Sequence, residues 1–100
     1  MTIYEHKTSM TVSGGSVAST TLRIPGGLAK YLLIRANTAT TVFRADLTDE
    51  DGVQRINYGY HNGELRDDTL NFPLTGVYTI NITNASVNDT FRIILSVREN

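Results

Sequence analysis

The sequence predicts an all-β protein: one antiparallel β-sandwich of jelly-roll or immunoglobulin-like kind, or a small barrel, with about eight short strands. Three observations lead there. Apolar positions alternate with period two along nearly the whole chain. Turn residues break that alternation about every ten residues. Thr is the commonest residue, at fourteen of 100, beside many Val, Ile and Leu; β-branched side chains suit a pleated, half-buried surface and are stiff in helices.

Taken in order, the predicted strands are 3–12, 17–24, 30–36, 40–48, 53–60, 68–72, 76–84 and 90–98. The first, "IYEHKTSMTV", reads as an edge strand or an N-terminal arm held by a neighbouring subunit, and "SGGS" ends it. "VASTTLRI" alternates cleanly until "PGG", where Pro lacks a ladder donor and Gly permits positive φ. "KYLLIRA" follows; "GGLAKYLLI" is the one window that could open with a helical turn. "TTVFRADLT" and "VQRINYGY" flank the turn "DEDG". "HNGELRD" (61–67) reads as a long loop before "DTLNF", and "PLT" as a turn before "GVYTINITN". "NASVND" then separates the last pair. The domain expectation is a single sandwich over 1–100.

Two hairpins take a register. Pairing Thr83 with Thr90 sets Ile82 against Phe91, Ile80 against Ile93 and Tyr78 against Leu95, all on one apolar face. The other face then sets Asn81 against Arg92, Thr79 against Ile94 and Val77 against Ser96. Pairing Thr48 with Val53 sets Phe43 against Tyr58, Ala45 against Ile56, and the charges of Asp46 and Arg55 against each other.

Composition narrows the function classes. Net charge is −1 with both signs dispersed, which argues against a nucleic-acid groove or a polybasic membrane patch. Without cysteine there is neither a disulfide framework nor a thiolate metal site. "MTIYEHKTSM" lacks a basic segment followed by an apolar run, which predicts no secretory signal. Three N-x-[ST] triplets, at Asn81, Asn84 and Asn88, therefore read as a product of composition, with Asn84 and Asp89 closing their loop through backbone bonds and Asn81 facing solvent.

No cluster spells out a catalytic chemistry. Aligning Gly52 of "LTDEDG" with the glycine of a calcium loop puts Asp49 and Asp51 on ligand positions, but Leu47 and Tyr58 stand where two essential ligands belong. His6 and His61, the only histidines, would have to converge with an acid such as Glu64 or Asp67 to bind zinc. "SGGS" is no nucleophile elbow, and Asp67 and Asp68 are adjacent rather than across a cleft. The expectation is no catalytic residue, no metal and no cofactor. Tyr58, Tyr60 and His61 are the candidate ligand loop.

The stronger signal is the second face of the sheets. If Leu32, Ile34, Phe43, Ala45, Leu47, Phe91, Ile93, Leu95 and Val97 point inward, then Tyr31, Leu33, Arg35, Val42, Arg44, Val77, Arg92 and Ile94 point outward. Apolar anchors mixed with Arg, in a chain with seven Arg and two Lys, have the make-up of a protein contact.

The stretches "LRIPGGLAKYLLIRANTATTVFRADLTDEDG" and "FPLTGVYTINITNASVNDTFRIILSV", within a small cysteine-free, Thr- and Asn-rich sandwich, resemble the accessory structural proteins of tailed bacteriophages. Capsid decoration (cement) proteins are the nearest kind, and tail or fibre modules come next. The resemblance implies a non-enzymatic virion protein, made in the host cytoplasm, that oligomerises, often as a trimer. It also implies docking on a major capsid protein or another virion protein, with no nucleic-acid or membrane partner. It carries no shared signature, so no functional residue follows from it. The rival expectation is a carbohydrate-binding or receptor-binding sandwich, with Tyr58, Tyr60 and His61 as its platform.

Overall fold

Among the described residues, the computed structural model of the chain has seven strands: β1 (Thr2–Val12), β2 (Val17–Ala36), β3 (Val42–Thr48), β4 (Gln54–Asn62), β5 (Glu64–Asp67), β6 (Phe72–Thr83) and β7 (Asp89–Glu99). It describes residues 2–99, apart from the side chains of Thr2 and Phe72. Every pairing is antiparallel, in the order β1-β7-β2-β6-β3-β4 with β5 also on β2.

One strand turns this network into a sandwich. The first half of β2, Val17–Ile24, pairs with β6, whereas Tyr31–Ala36 pairs with β7 and Leu32–Arg35 with β5. The layers are thus β1-β7-β2-β5, using the second half of β2, and β2-β6-β3-β4, using the first. The predicted "PGG" turn is instead a bend inside a continuous strand. A register shift between Ile24 and Gly27 accommodates Pro25, which has no N–H to offer, and Gly26 takes φ 144°. At Gly27 β2 passes close to β7: a Cβ there would overlap the Arg98 carbonyl oxygen.

The expected inward set, Leu32, Ile34, Phe43, Ala45, Leu47, Phe91, Ile93, Leu95 and Val97, is buried to the last residue. Phe43 and Phe91 meet edge to face, ring centroids 4.9 Å apart, the arrangement that aromatic quadrupoles favour. Ile24, Ile80, Ile82 and Leu65 complete the centre.

Pairings depart from expectation more than facing does. Strands β6 and β7 do not form a hairpin. Residues 84–88 carry the chain between layers, so β6 lies between β2 and β3, and β7 between β1 and β2. Tyr78, Ile80 and Ile82 therefore meet Phe91, Ile93 and Leu95 in the core from opposite layers. Asn81 stands against Ser19 and Asp46, not Arg92; Thr79 against Thr21 and Thr48, not Ile94. Strands β3 and β4 do pair, but two bulges shift the register: Phe43 faces His61, Ala45 faces Gly59 and Thr48 faces Gln54. Asp46 consequently misses Arg55, which reaches Asp49 instead at 2.8 Å. Residues 61–67, expected as a loop, hold the end of β4 and all of β5, while 68–71 is irregular and "PLT" lies inside β6. The window "GGLAKYLLI" is strand throughout.

Of the 1–12 segment, Thr2–Val12 is an edge strand, paired with β7 over eleven residues without a bulge, and Met1 lies outside the described residues.

The loop after β2 is tied down by Asp89, only 8% exposed. Its carboxylate accepts from the Thr41 hydroxyl (2.7 Å) and the Thr38 (3.1 Å) and Thr90 (2.7 Å) amides. Burial opposes its ionisation, but the Thr41, Thr90 and Thr38 bonds outweigh it, so its pKa lies below the ordinary 3.8. Because the unfolded chain takes up its proton first, this stabilisation is complete above about pH 4 and is lost as pH falls through the lower folded value. Asp89→Ala should cost about 1–3 kcal/mol in urea titrations at neutral pH, since it strands the buried Thr41 hydroxyl and removes the partner of two part-buried amides. The gap between parent and variant should shrink as pH falls below about 4.

Candidate docking surface

The outer face of the β1-β7-β2-β5 layer is built by simple alternation. Leu32 and Ile34 point into the core, so Tyr31, Leu33 and Arg35 point away from it. On β7, Ile93 and Leu95 do the same for Arg92 and Ile94. Register then sets side chains in rows. One row runs Lys7, Ile94, Leu33, Arg66; the next runs Ser9, Arg92, Arg35, Glu64; a third runs Glu5, Ser96, Tyr31. Five of the eight expected interface residues, Tyr31, Leu33, Arg35, Arg92 and Ile94, thus converge.

At the centre, Leu33 and Ile94 form an apolar cross-strand pair. Leu33 is buried yet lies outside the core, shielded on its own face. Around them the charge is mostly positive. Arg35 donates to one Glu64 oxygen from Nη2 (2.6 Å) and Nε (3.0 Å), and Arg66 Nη2 stands 3.5 Å from it. The Arg35 hydrogen bond, ahead of the Arg66 charge, holds the Glu64 carboxyl below the usual carboxylate range against a weaker opposing effect of burial. Arg92 sits opposite Arg35 and forms no ion pair among the described residues. Between them lies an open depression of about 410 Å³ bordered by Ser9, Asn37 and Thr90. Arg35 turns its guanidinium to Glu64 on β5, so Arg92 is the cation that an incoming carboxylate or carbonyl would pair with here.

Val42, Arg44 and Val77 are on the other layer and do not join this surface. That face is engaged internally. Asn81 Nδ2 donates to Asp46 Oδ1 (2.6 Å) and Thr48 Oγ1 (3.2 Å), and the Ser19 hydroxyl donates to Asn81 Oδ1 (2.5 Å). Asn81 is thus half-buried in a polar ladder rather than facing free solvent. Arg44 lies over the Tyr60 ring at 5.4 Å, and the Val77 amide donates to Glu50 at 3.0 Å.

The candidate ligand loop does not assemble. Tyr58, Tyr60 and His61 lie on strand β4, so Tyr58 and Tyr60 flank Gly59, which takes φ 71°. Tyr60 is exposed and its hydroxyl accepts from Asn84 Nδ2 (3.1 Å). Tyr58 packs against the core with its hydroxyl buried near Asp67 and in no well-formed hydrogen bond. Burial first, then the Asp67 charge, push its pKa up. His61 turns to the Phe43 ring (centroids 6.5 Å apart), with Nε2 3.1 Å from the Tyr58 carbonyl oxygen. No shared stacking platform results.

The two histidines lie on different layers, with His6 Nε2 2.8 Å from Glu99 Oε2. In "DEDG", Asp49 closes the turn itself. Its Oδ1 accepts from the Val53 (2.9 Å) and Asp51 (3.0 Å) amides and its Oδ2 from Arg55 Nε (2.8 Å). Asn88 Oδ1 accepts from the Gly14 amide (2.7 Å), and Asn84 adopts φ 55°.

Sequence reasoning missed Lys7, Glu64 and Arg66 on the outer face. For Glu64 and Arg66 the signal was alternation within 64–67, which the turn-like "HNG" obscured; for Lys7 it was alternation along β1.

No protein-family model and no curated protein sequence matches the chain. Among solved structures it is similar to the Yersinia pseudotuberculosis-derived mitogen, with a TM-score of 0.52 and 9% identity over 97% of this chain and 88% of that one. A structure of infectious bursal disease virus, Gx strain, aligns at 9% identity over 97% of this chain and 33% of that one, at a TM-score of 0.31, which carries no argument. The mitogen likeness speaks for the fold alone, a jelly-roll-like β-sandwich.

Proposed function

We propose that the protein is a non-enzymatic virion structural protein, of the capsid-decoration kind, that docks on a major capsid or other virion protein. The observation that carries this reading is the outer face of β1-β7-β2-β5. There an apolar pair, Leu33 and Ile94, is framed by Arg35, Arg66, Arg92, Lys7 and Tyr31. Tyr and Arg set around an apolar centre are the residue types that carry much of the energy in protein contacts. Arg92, without an ion pair among the described residues, suits a partner that places an acidic group over Ser9 and Asn37. The tie to a tailed phage rests on the style of the sequence. The carbohydrate reading loses support because Tyr58, Tyr60 and His61 share no platform.

Co-sedimentation separates these readings. Purified protein should pellet with particles assembled without it and saturate at a fixed number of copies per particle. It should give no heat with an oligosaccharide panel. Saturable sugar binding together with no particle binding would reverse the assignment. Aspartate at Ile94 should weaken docking by about 2 kcal/mol or more, because the charge is desolvated in the contact. The isolated subunit should lose no more than about 1 kcal/mol.

A further inference from the structure

We infer that β1 is a self-pairing edge: two copies of this chain join antiparallel through β1, in a register centred on His6, to form one continuous sheet. The edge is long, eleven residues, and unbroken by Pro, Gly or bulge. Among the described residues only its β7 side is paired, so every second backbone amide and carbonyl along the other side is open for a ladder. Edges of this kind are normally covered, kinked or paired. Of the other edges, β4 is interrupted by two register shifts and by Gly59 at φ 71°, β5 is only four residues long, and residues 17–24 of β2 run into the bend at 25–27. Strand β1 also carries exposed apolar side chains, Ile3 at 61% and Tyr4 at 50%.

The side-chain sequence selects the occupant and the register. A two-fold axis between identical strands must pass through a residue paired with its own copy. Centring on Lys7 sets Lys7 against Lys7, and centring on Glu5 sets Glu5 against Glu5; each places like charges directly opposite. Centring on His6 sets Glu5 of each chain against Lys7 of the other, twice. It also sets Ile3 against Ser9 and Tyr4 against Thr8, with Tyr4 diagonal to Met10 on the half-buried face. Both charges point outward and are solvated, at 52% and 63% exposure, and within one chain they meet only at 3.6 Å. They are therefore free to turn to the copy. The contact is two-fold, so it builds a dimer or a dimer of higher units rather than a bare trimer. It also makes the outer faces of two copies contiguous, doubling the surface offered for docking. The inference does not depend on that docking and can fail separately from it.

Sedimentation velocity on the intact chain tests it, with concentration raised to about 1 mM. The parent should form a dimer. Glu5→Lys alone and Lys7→Glu alone each turn two attractive cross-strand pairs into repulsive ones, and each should weaken association about tenfold or more. The double variant Glu5→Lys with Lys7→Glu restores opposite charges in the His6-centred register only, and should recover the parent affinity. A His6→Cys chain, otherwise free of cysteine, should form a disulfide-linked dimer on oxidation, because its two Cα atoms fall within bridging distance. A monomer at every concentration overturns the inference. So does a dimer indifferent to the single swaps, or one that the double swap fails to restore.

Discussion

Ile93→Asp is expected to leave the protein largely unfolded, the largest effect of any single substitution considered. Ile93 is fully buried, and its register neighbours are Thr8 on β1 and Ile34 on β2. Neither offers a cation. An ionised carboxylate in that position costs several kcal/mol, comparable to the ~5–15 kcal/mol that holds a domain of this size together. Far-UV circular dichroism and the urea midpoint report it directly. The neighbouring Ile94→Asp places the same charge on the outer face, against Lys7 and Leu33, where the isolated subunit should tolerate it. A folded Ile93→Asp protein would mean that β7 faces the other way.

Gly63→Ala should be the most damaging of the glycine substitutions. Gly63 takes φ 71°, and a Cβ there would overlap the Ala39 carbonyl oxygen, which is backbone and cannot swing aside. Its amide donates to the Thr41 carbonyl (2.6 Å), and its carbonyl accepts from the Ala36 amide (2.8 Å). This is where the chain leaves β4 in one layer and enters β5 in the other, so displacing it disturbs both. The left-handed conformation costs an alanine about 1 kcal/mol, and the overlap raises the loss to about 2–4 kcal/mol. Gly15 and Gly52 also have positive φ, 76° and 80°, but a Cβ at either meets open space. Alanine there should cost only about 1 kcal/mol in the same urea titration. Equal losses at all three positions would refute the steric part of this account.

What was legible in the sequence was facing, and what was hidden was partnership. Alternation reports only whether a side chain points in or out. That is why the inward set from Leu32 to Val97 was correct even where the pairing was not. Tyr78, Ile80 and Ile82 match Phe91, Ile93 and Leu95 equally well as a hairpin or as opposed layers, because both arrangements bury the same atoms. Chain geometry across residues 84–88 decides between them, and it turns on the φ of Asn84 and on Asp89 binding the loop after β2. Pro25-Gly26-Gly27 has the chemistry of a turn, yet β2 uses it to bend from one layer to the other. In the candidate surface, Tyr31, Leu33, Arg35, Arg92 and Ile94 were readable from alternation alone. Separating them from Val42, Arg44 and Val77 required knowing that β3 and β6 lie in the other layer.

The central claim is that the β1-β7-β2-β5 face, and not its opposite, meets a virion partner. Its most direct test is quantitative binding of three proteins to particles assembled without the chain: the parent, Ile94→Asp and Val77→Asp. Val77 is half-buried on the opposite layer, so its substitution controls for adding a surface charge. The account predicts that Val77→Asp binds like the parent, while Ile94→Asp, still folded and melting within about 8 °C of the parent, binds about thirtyfold more weakly or worse, equivalent to ~2 kcal/mol. Parent-like binding by Ile94→Asp, or loss confined to Val77→Asp, would contradict it.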